Sequence, residues 1–167
     1  MRAALLALLV VVGCSAPQPR VVVHPSLAES AVAALDLWTA ATEGEFSPEV
    51  VISEDCSDST WCIVGVESLP ACGDSSEALA CTTHRDWLVS DLAGLGGGGL
   101  LRLNTRATPR EFWVSSLAHE IGHLLGVEHR ESGLMNGKRG EAERVSPCVD
   151  ADTVAAAGLS GAGACLQ

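Results

Sequence analysis

Apolar and polar positions along the chain change period several times, and each change marks an element. Residues 20–24 read R-V-V-V-H, a β-branched run predicted as the first strand. Leu27, Ala31, Ala34, Leu35 and Trp38 then recur at helical spacing. A helix is therefore predicted over 27–41, with Ser26 as N-cap after Pro25 and Gly44 at its stop. Residues 50–53 and 61–66 read as two further strands, and 67–83 as a polar, Cys-bearing surface loop. A short edge strand is expected at 86–90, followed by a glycine hinge or bulge at 96–99. Leu101 and Leu103 alternate with Arg102 and Asn104, as in a half-buried strand over 100–104.

The next helix carries explicit start and stop signals. Thr108 can cap it, Pro109 suits its first position, and Glu111 completes a T-x-x-E capping box. Phe112, Leu117, Ile121, Leu124 and Leu125 supply its buried face, and Gly126 is a natural C-terminal breaker. A last helix is expected over 147–157, capped by Ser146 and followed by a small-residue tail from Gly158. The chain has no internal repeat.

At 167 residues the chain suits one domain with a modest core. Hydrophobic residues reach 47%, so composition excludes a disordered chain, while 4% aromatics and no Tyr leave an aliphatic core with four Trp. The formal charge of −11 repels phosphate backbones and argues against nucleic-acid binding. An acidic surface of this kind is foremost a solubility device.

The N-terminus has the composition of a targeting segment. Arg2 precedes an apolar run from Ala3 to Val12 that is too short to span a bilayer. The run ends in Val11-Val12-Gly13-Cys14, which resembles a bacterial lipobox. The resemblance implies a signal peptide over 1–13, lipidation of Cys14, and a tether over 14–19. The folded domain is then 20–167, exported and lipid-anchored to a bacterial membrane on its periplasmic or cell-surface face.

Setting Cys14 aside leaves an even number of cysteines, as expected of disulfides in an exported chain. Spacing alone does not select the pairing; the local set is expected, Cys56 with Cys62, Cys72 with Cys81, and Cys148 with Cys165. None of these spacings is the C-x-x-C of a zinc knuckle.

The chemistry concentrates in residues 119–129, HEIGHLLGVEH. On a helix His119 and His123 lie four apart, so both imidazoles project from one face and can meet one ion. Gly126 permits a left-handed exit, which lets His129 swing back as a third ligand. Three nitrogens on zinc leave a position open for water, the layout of a catalytic site. Glu120 can take a proton from that water, acting as general base. His24 and His84 each stand apart from this run and read as structural or surface residues.

This run resembles the signature of the metzincin clan, H-E-x-x-H-x-x-G-x-x-H followed by a methionine turn. The turn candidate is Ser132-Gly133-Leu134-Met135-Asn136, and its short spacing from His129 is most similar to the matrixin branch. The resemblance implies an α+β fold: a twisted mixed sheet with an antiparallel edge strand, an active-site helix and a C-terminal helix. It also implies one catalytic zinc, Met135 as an apolar floor beneath it, and protein or peptide substrates lying along the edge strand. A monomer tethered to a membrane through its lipid is expected.

The chain departs from that pattern in places. The histidine and carboxylate set that matrixins use for structural zinc and calcium is missing, so neither ion is expected. Gly137 stands where matrixins commonly carry proline, and without Tyr there is no tyrosine switch of the astacin type. Two rivals to an endopeptidase stay open: a non-catalytic zinc- or peptide-binding lipoprotein, and a metallohydrolase acting on a non-peptide amide. Intact Glu120 argues against the first; water-activation chemistry is shared with the second.

Overall fold

Three consecutive valines, Val21, Val22 and Val23, are all buried, the mark of a strand covered on both faces. They belong to β1 (Arg20–Val23), which lies between β2 (Glu49–Ile52) and β3 (Trp61–Val66) and is parallel to both. The computed structural model describes residues 18–57, 59–69, 79–84, 98–137 and 146–166. The signal segment 1–13, Cys14 and the expected strand at 86–90 lie outside the described residues, as does Cys72.

The sheet continues from β3 to β5 (Gly99–Asn104), again parallel, and ends on β4 (Ala80–His84), which is antiparallel. Its order is β2-β1-β3-β5-β4, a five-stranded mixed sheet with an antiparallel edge. With its helices this makes the fold α+β, as expected. Leu101 and Leu103 are fully buried while Arg102 and Asn104 are half-buried, so the alternation in β5 is real. Burying each leucine contributes about 1.5–3 kcal/mol.

The edge strand corrects the expectation of an irregular loop over 67–83. Ala80, Cys81, Thr82 and Thr83 are in β4, paired in register with β5. The β-branched pair and buried Cys81 suit a pleated surface, and ladder pairing outweighs the polar character of the flanks.

Helix α1 (Ala28–Ala41) buries Ala31, Ala34, Leu35, Leu37, Trp38 and Ala41 in the core. Ser26 is not its N-cap. A 3-10 turn, Pro25–Leu27, comes first, and His24 Nδ1 accepts its Ser26 N–H at 3.3 Å. Gly44 ends the segment with φ +86°, as its position suggests.

Helix α2 (Trp113–Leu124) packs on α1, β4 and β5. Its expected capping box does not form: Pro109 occupies the cap of a preceding 3-10 turn, Arg110–Phe112, and Glu111 is exposed. The buried Thr108 instead donates its hydroxyl to the Leu79 carbonyl at 3.0 Å, tying the helix entry to the start of β4. Leu117, Ile121 and Leu124 are buried as expected, whereas Phe112 and Leu125 are half-buried. Gly99 opens β5 where a Cβ would overlap the Leu124 side chain, so the strand needs glycine there for close approach; Gly96 and Gly97 of the expected hinge lie outside the described residues.

The C-terminal segment differs most from expectation. Cys148–Asp150 forms β6, paired antiparallel with β7 (Gly163–Cys165) in what was expected to be a tail. Helix α3 is therefore shorter, Ala151–Ala156, and Asp150 rather than Ser146 caps it, accepting the Thr153 N–H at 2.7 Å. A Cys148–Cys165 disulfide joins opposite positions of the ladder, a constraint that local helix propensity cannot override. Cys56–Cys62 closes the turn before β3, where the Ser57 N–H bonds Asp55 and holds that carboxyl below its ordinary value. Cys81 is also disulfide-bonded, to a partner outside the described residues. No helix among the described residues is long and apolar enough to cross a membrane.

Candidate metal centre

Helix α2 delivers the first two histidines by its period. His119 and His123, one turn apart, present rings whose centroids are 4.8 Å from each other. The helix is held from below by Trp38, whose indole N–H donates to the Ala118 carbonyl at 2.8 Å, one residue before His119.

The exit from α2 brings the third. Gly126 adopts φ +84°, with its N–H on the His123 carbonyl (3.0 Å) and the Val127 N–H on the Gly122 carbonyl (2.9 Å). This is the paired bond pattern of a Schellman motif, and its left-handed residue disfavours any side chain. The chain doubles back, and His129 Nε2 lies 3.2 Å from His119 Nε2 and 3.2 Å from His123 Nε2.

Backbone carbonyls orient the first two rings. His119 Nδ1 donates to Leu134 O at 2.7 Å, and His123 Nδ1 to Val127 O at 2.7 Å. A carbonyl oxygen can only accept, so each Nδ1 carries a proton, and it is Nε2 that faces the cluster. The ligand atoms of the three histidines all lie within 4.8 Å of one another. Nitrogens bound tetrahedrally to zinc at its usual bond length would sit about 3.3 Å apart, so the 3.2 Å separations fit such an ion. One proton on His129 satisfies one neighbour; a cation satisfies all three. Among the described residues this is the one cluster of three or more side chains able to hold a metal ion. Imidazole donors suit zinc, copper, iron or nickel.

Residues 132–136, where the methionine turn was expected, form a turn. Gly133 has φ +74°, the Asn136 N–H reaches the Gly133 carbonyl at 3.1 Å, and the Arg130 N–H reaches the Met135 carbonyl at 3.0 Å. Met135 is fully buried, and its sulfur lies where a Cβ on Gly122 would overlap it. The thioether thus packs under α2 between the turns that carry His119 and His123. Gly137 lies beside the His129 ring, where even a Cβ would sit 3.5 Å from Nε2.

Glu120 is buried, with 8% of its surface exposed, next along the helix from His119. Its Oε2 accepts a 2.7 Å hydrogen bond from the Thr82 hydroxyl of β4. Thr82 went unnoticed in the sequence because it fell in the segment read as a loop; the β-branched Thr82-Thr83 pair was the available signal. Exposure rises from His119 (6%) through half-buried His123 to exposed His129, so the cluster opens to solvent on the His129 side. His24 caps a 3-10 turn and does not join the cluster, and His84 belongs to β4. No protein-family model matches the chain, and no curated protein matches it.

Proposed function

We propose that this chain is a zinc-dependent endopeptidase of the metzincin type, matrixin-like in its methionine turn. The observation that carries the reading is the convergence of three imidazole nitrogens, two of them from a helix in which the buried Glu120 directly follows His119. His119, His123 and His129 would hold the ion. When bound, zinc would supply a Lewis acid that acidifies water and polarises a carbonyl. Glu120 takes a proton from the attacking water and returns it to the leaving amine. Among the described residues no strand pairs with the outer side of β4, so an extended peptide can add there by main-chain hydrogen bonds. That preference for extended chains favours peptides over other amides.

Export and a lipid anchor at Cys14 belong to the same proposal. The Cys56–Cys62 and Cys148–Cys165 disulfides support it, since such bonds persist in oxidising compartments.

The test compares the soluble domain with its Glu120→Ala variant. Both should retain zinc by elemental analysis. The parent should cleave a diverse peptide library in a chelator-sensitive manner, and the variant should lose about 10²–10⁴-fold in rate. A parent that binds zinc and cleaves nothing points to the non-catalytic binder. A variant as fast as the parent removes Glu120 from the base role.

A further inference from the structure

The carboxylate of Glu120 is held from outside its own helix. Thr82 Oγ1 lies 2.7 Å from Glu120 Oε2 and 3.2 Å from the Glu120 carbonyl oxygen, so one hydroxyl spans side chain and backbone of the same residue. An O–H···O bond to an ionised carboxylate is among the stronger hydrogen bonds. Left alone, the terminal torsion of glutamate is broad and roughly two-fold, so the two oxygens sample a wide arc. Anchoring Oε2 fixes the carboxylate plane, and the direction of Oε1 with it.

The donor is itself rigidly presented. Thr82 is paired with Leu101 in the β4–β5 ladder, and Leu101 is fully buried. As a β-branched residue, threonine has few rotamers open to it on a strand. A strand therefore aims the hydroxyl, which in turn aims the carboxylate.

We propose that Thr82 is a positioning residue for Glu120, fixing the orientation from which the carboxylate exchanges protons with water and leaving group. The proposal rests on the reading of Glu120 as general base. It adds that β4, the strand offered to an extended peptide, also orients the base. Substrate alignment and base alignment then depend on one element.

The experiment uses Thr82→Val, which keeps the shape and removes the hydroxyl, and Thr82→Ser, which keeps the hydroxyl. Zinc-loaded proteins are compared for metal content, peptide hydrolysis and crystal structure. Thr82→Val should bind zinc like the parent, keep KM within about twofold, and lose about 10- to 100-fold in kcat. Thr82→Ser should recover to within about threefold of the parent. In the crystal, the Glu120 carboxylate should hold one orientation in the parent and in Thr82→Ser, and several in Thr82→Val. If Thr82→Val does not fold, Thr82→Ala takes its place.

Parent-like kcat in Thr82→Val, or Thr82→Ser as slow as Thr82→Val, overturns the proposal. Should the parent hydrolyse nothing, the general-base reading fails and the Thr82 role in proton exchange falls with it; a dispersed Glu120 carboxylate in Thr82→Val would then show only that Thr82 holds that side chain. Glu120→Gln separates the two claims. If Glu120→Gln is inactive while Thr82→Val is unimpaired, Thr82 alone loses its role; if Glu120→Gln matches the parent, the general-base reading fails and the Thr82 role falls with it.

Discussion

His119 and Leu134, fifteen residues apart in sequence, are joined by a 2.7 Å hydrogen bond from the imidazole Nδ1 to the carbonyl oxygen. The bond links the helix that carries two of the histidines to the turn that carries Met135. It makes ring orientation at the buried end of the cluster a property of tertiary structure.

That bond separates two variants that would otherwise look alike. His119 is 6% exposed and bonded to the turn, whereas His129 is exposed. His119→Ala and His129→Ala should each abolish stoichiometric zinc binding. His119→Ala should also cost about 1–3 kcal/mol of stability in the metal-free protein, because it strands a buried carbonyl. His129→Ala should leave metal-free stability within about 0.5 kcal/mol of the parent. Urea unfolding in excess chelator measures both; equal losses would contradict the bracing role of His119.

Gly122 and Met135 should be coupled. A Cβ on Gly122 would overlap the Met135 sulfur and press on Trp38 Cζ2 at 3.2 Å. Gly122→Ala should therefore destabilise by about 1–3 kcal/mol through overpacking. Met135→Ala alone should cost about 2–5 kcal/mol as a cavity. The double variant should be more stable than the sum of the two losses predicts, by at least about 0.5 kcal/mol. Strict additivity in denaturant melts would show that the thioether does not fill the space over Gly122.

Legibility from sequence follows how local each determinant is. The spacing of His119 and His123, the left-handed exit at Gly126, and the buried alternation of Leu101 and Leu103 depend on neighbours within a few residues, and all three were readable. Caps were read less well because their partners are distant: Thr108 abandons the helix end for Leu79, and Asp150 displaces Ser146 once the Cys148–Cys165 ladder forms. The edge strand was hidden because Thr82 and Thr83 look polar until β5 offers its ladder. The Thr82–Glu120 contact spans 38 residues, and no local pattern encodes it. Trp38 was legible as core, but its bond to Ala118, 80 residues away, was not.

The exit at Gly126 gives a prediction of backbone origin. A Cβ there would meet nothing within 4 Å, so any cost of substitution comes from the φ of +84° and not from crowding. Gly126→Ala should lose about 1–2 kcal/mol, and Gly126→Asn less, since asparagine visits the left-handed region more readily. Zinc affinity should fall in the same order, because this turn places both the Val127 carbonyl on His123 and the approach of His129. Competition with a chromophoric chelator ranks the three proteins. Alanine and asparagine variants indistinguishable in both stability and affinity would remove the left-handed turn from the account.

The Cys148–Cys165 disulfide should affect the metal centre as well as the fold. It clamps the β6–β7 hairpin, and Asp150 at the end of β6 abuts Gly133, where a Cβ would come within 2.7 Å of Asp150 Oδ2. Gly133 precedes Leu134, whose carbonyl holds His119. Loosening the hairpin therefore loosens the turn, and the turn releases the ring. Replacing both cysteines with serine should cost about 3 kcal/mol by the loop-entropy estimate. Zinc transfer to excess chelator, measured under conditions where the protein stays folded, should also quicken. The Cys56–Cys62 pair is the control. It closes a shorter loop leading into β3, the central strand, and not the β6–β7 pair, so its removal should cost about 2 kcal/mol and leave the zinc transfer rate unchanged. If both double-serine variants release zinc at the parental rate, the hairpin supports the fold alone, and the route through Asp150 and Gly133 carries no load to His119.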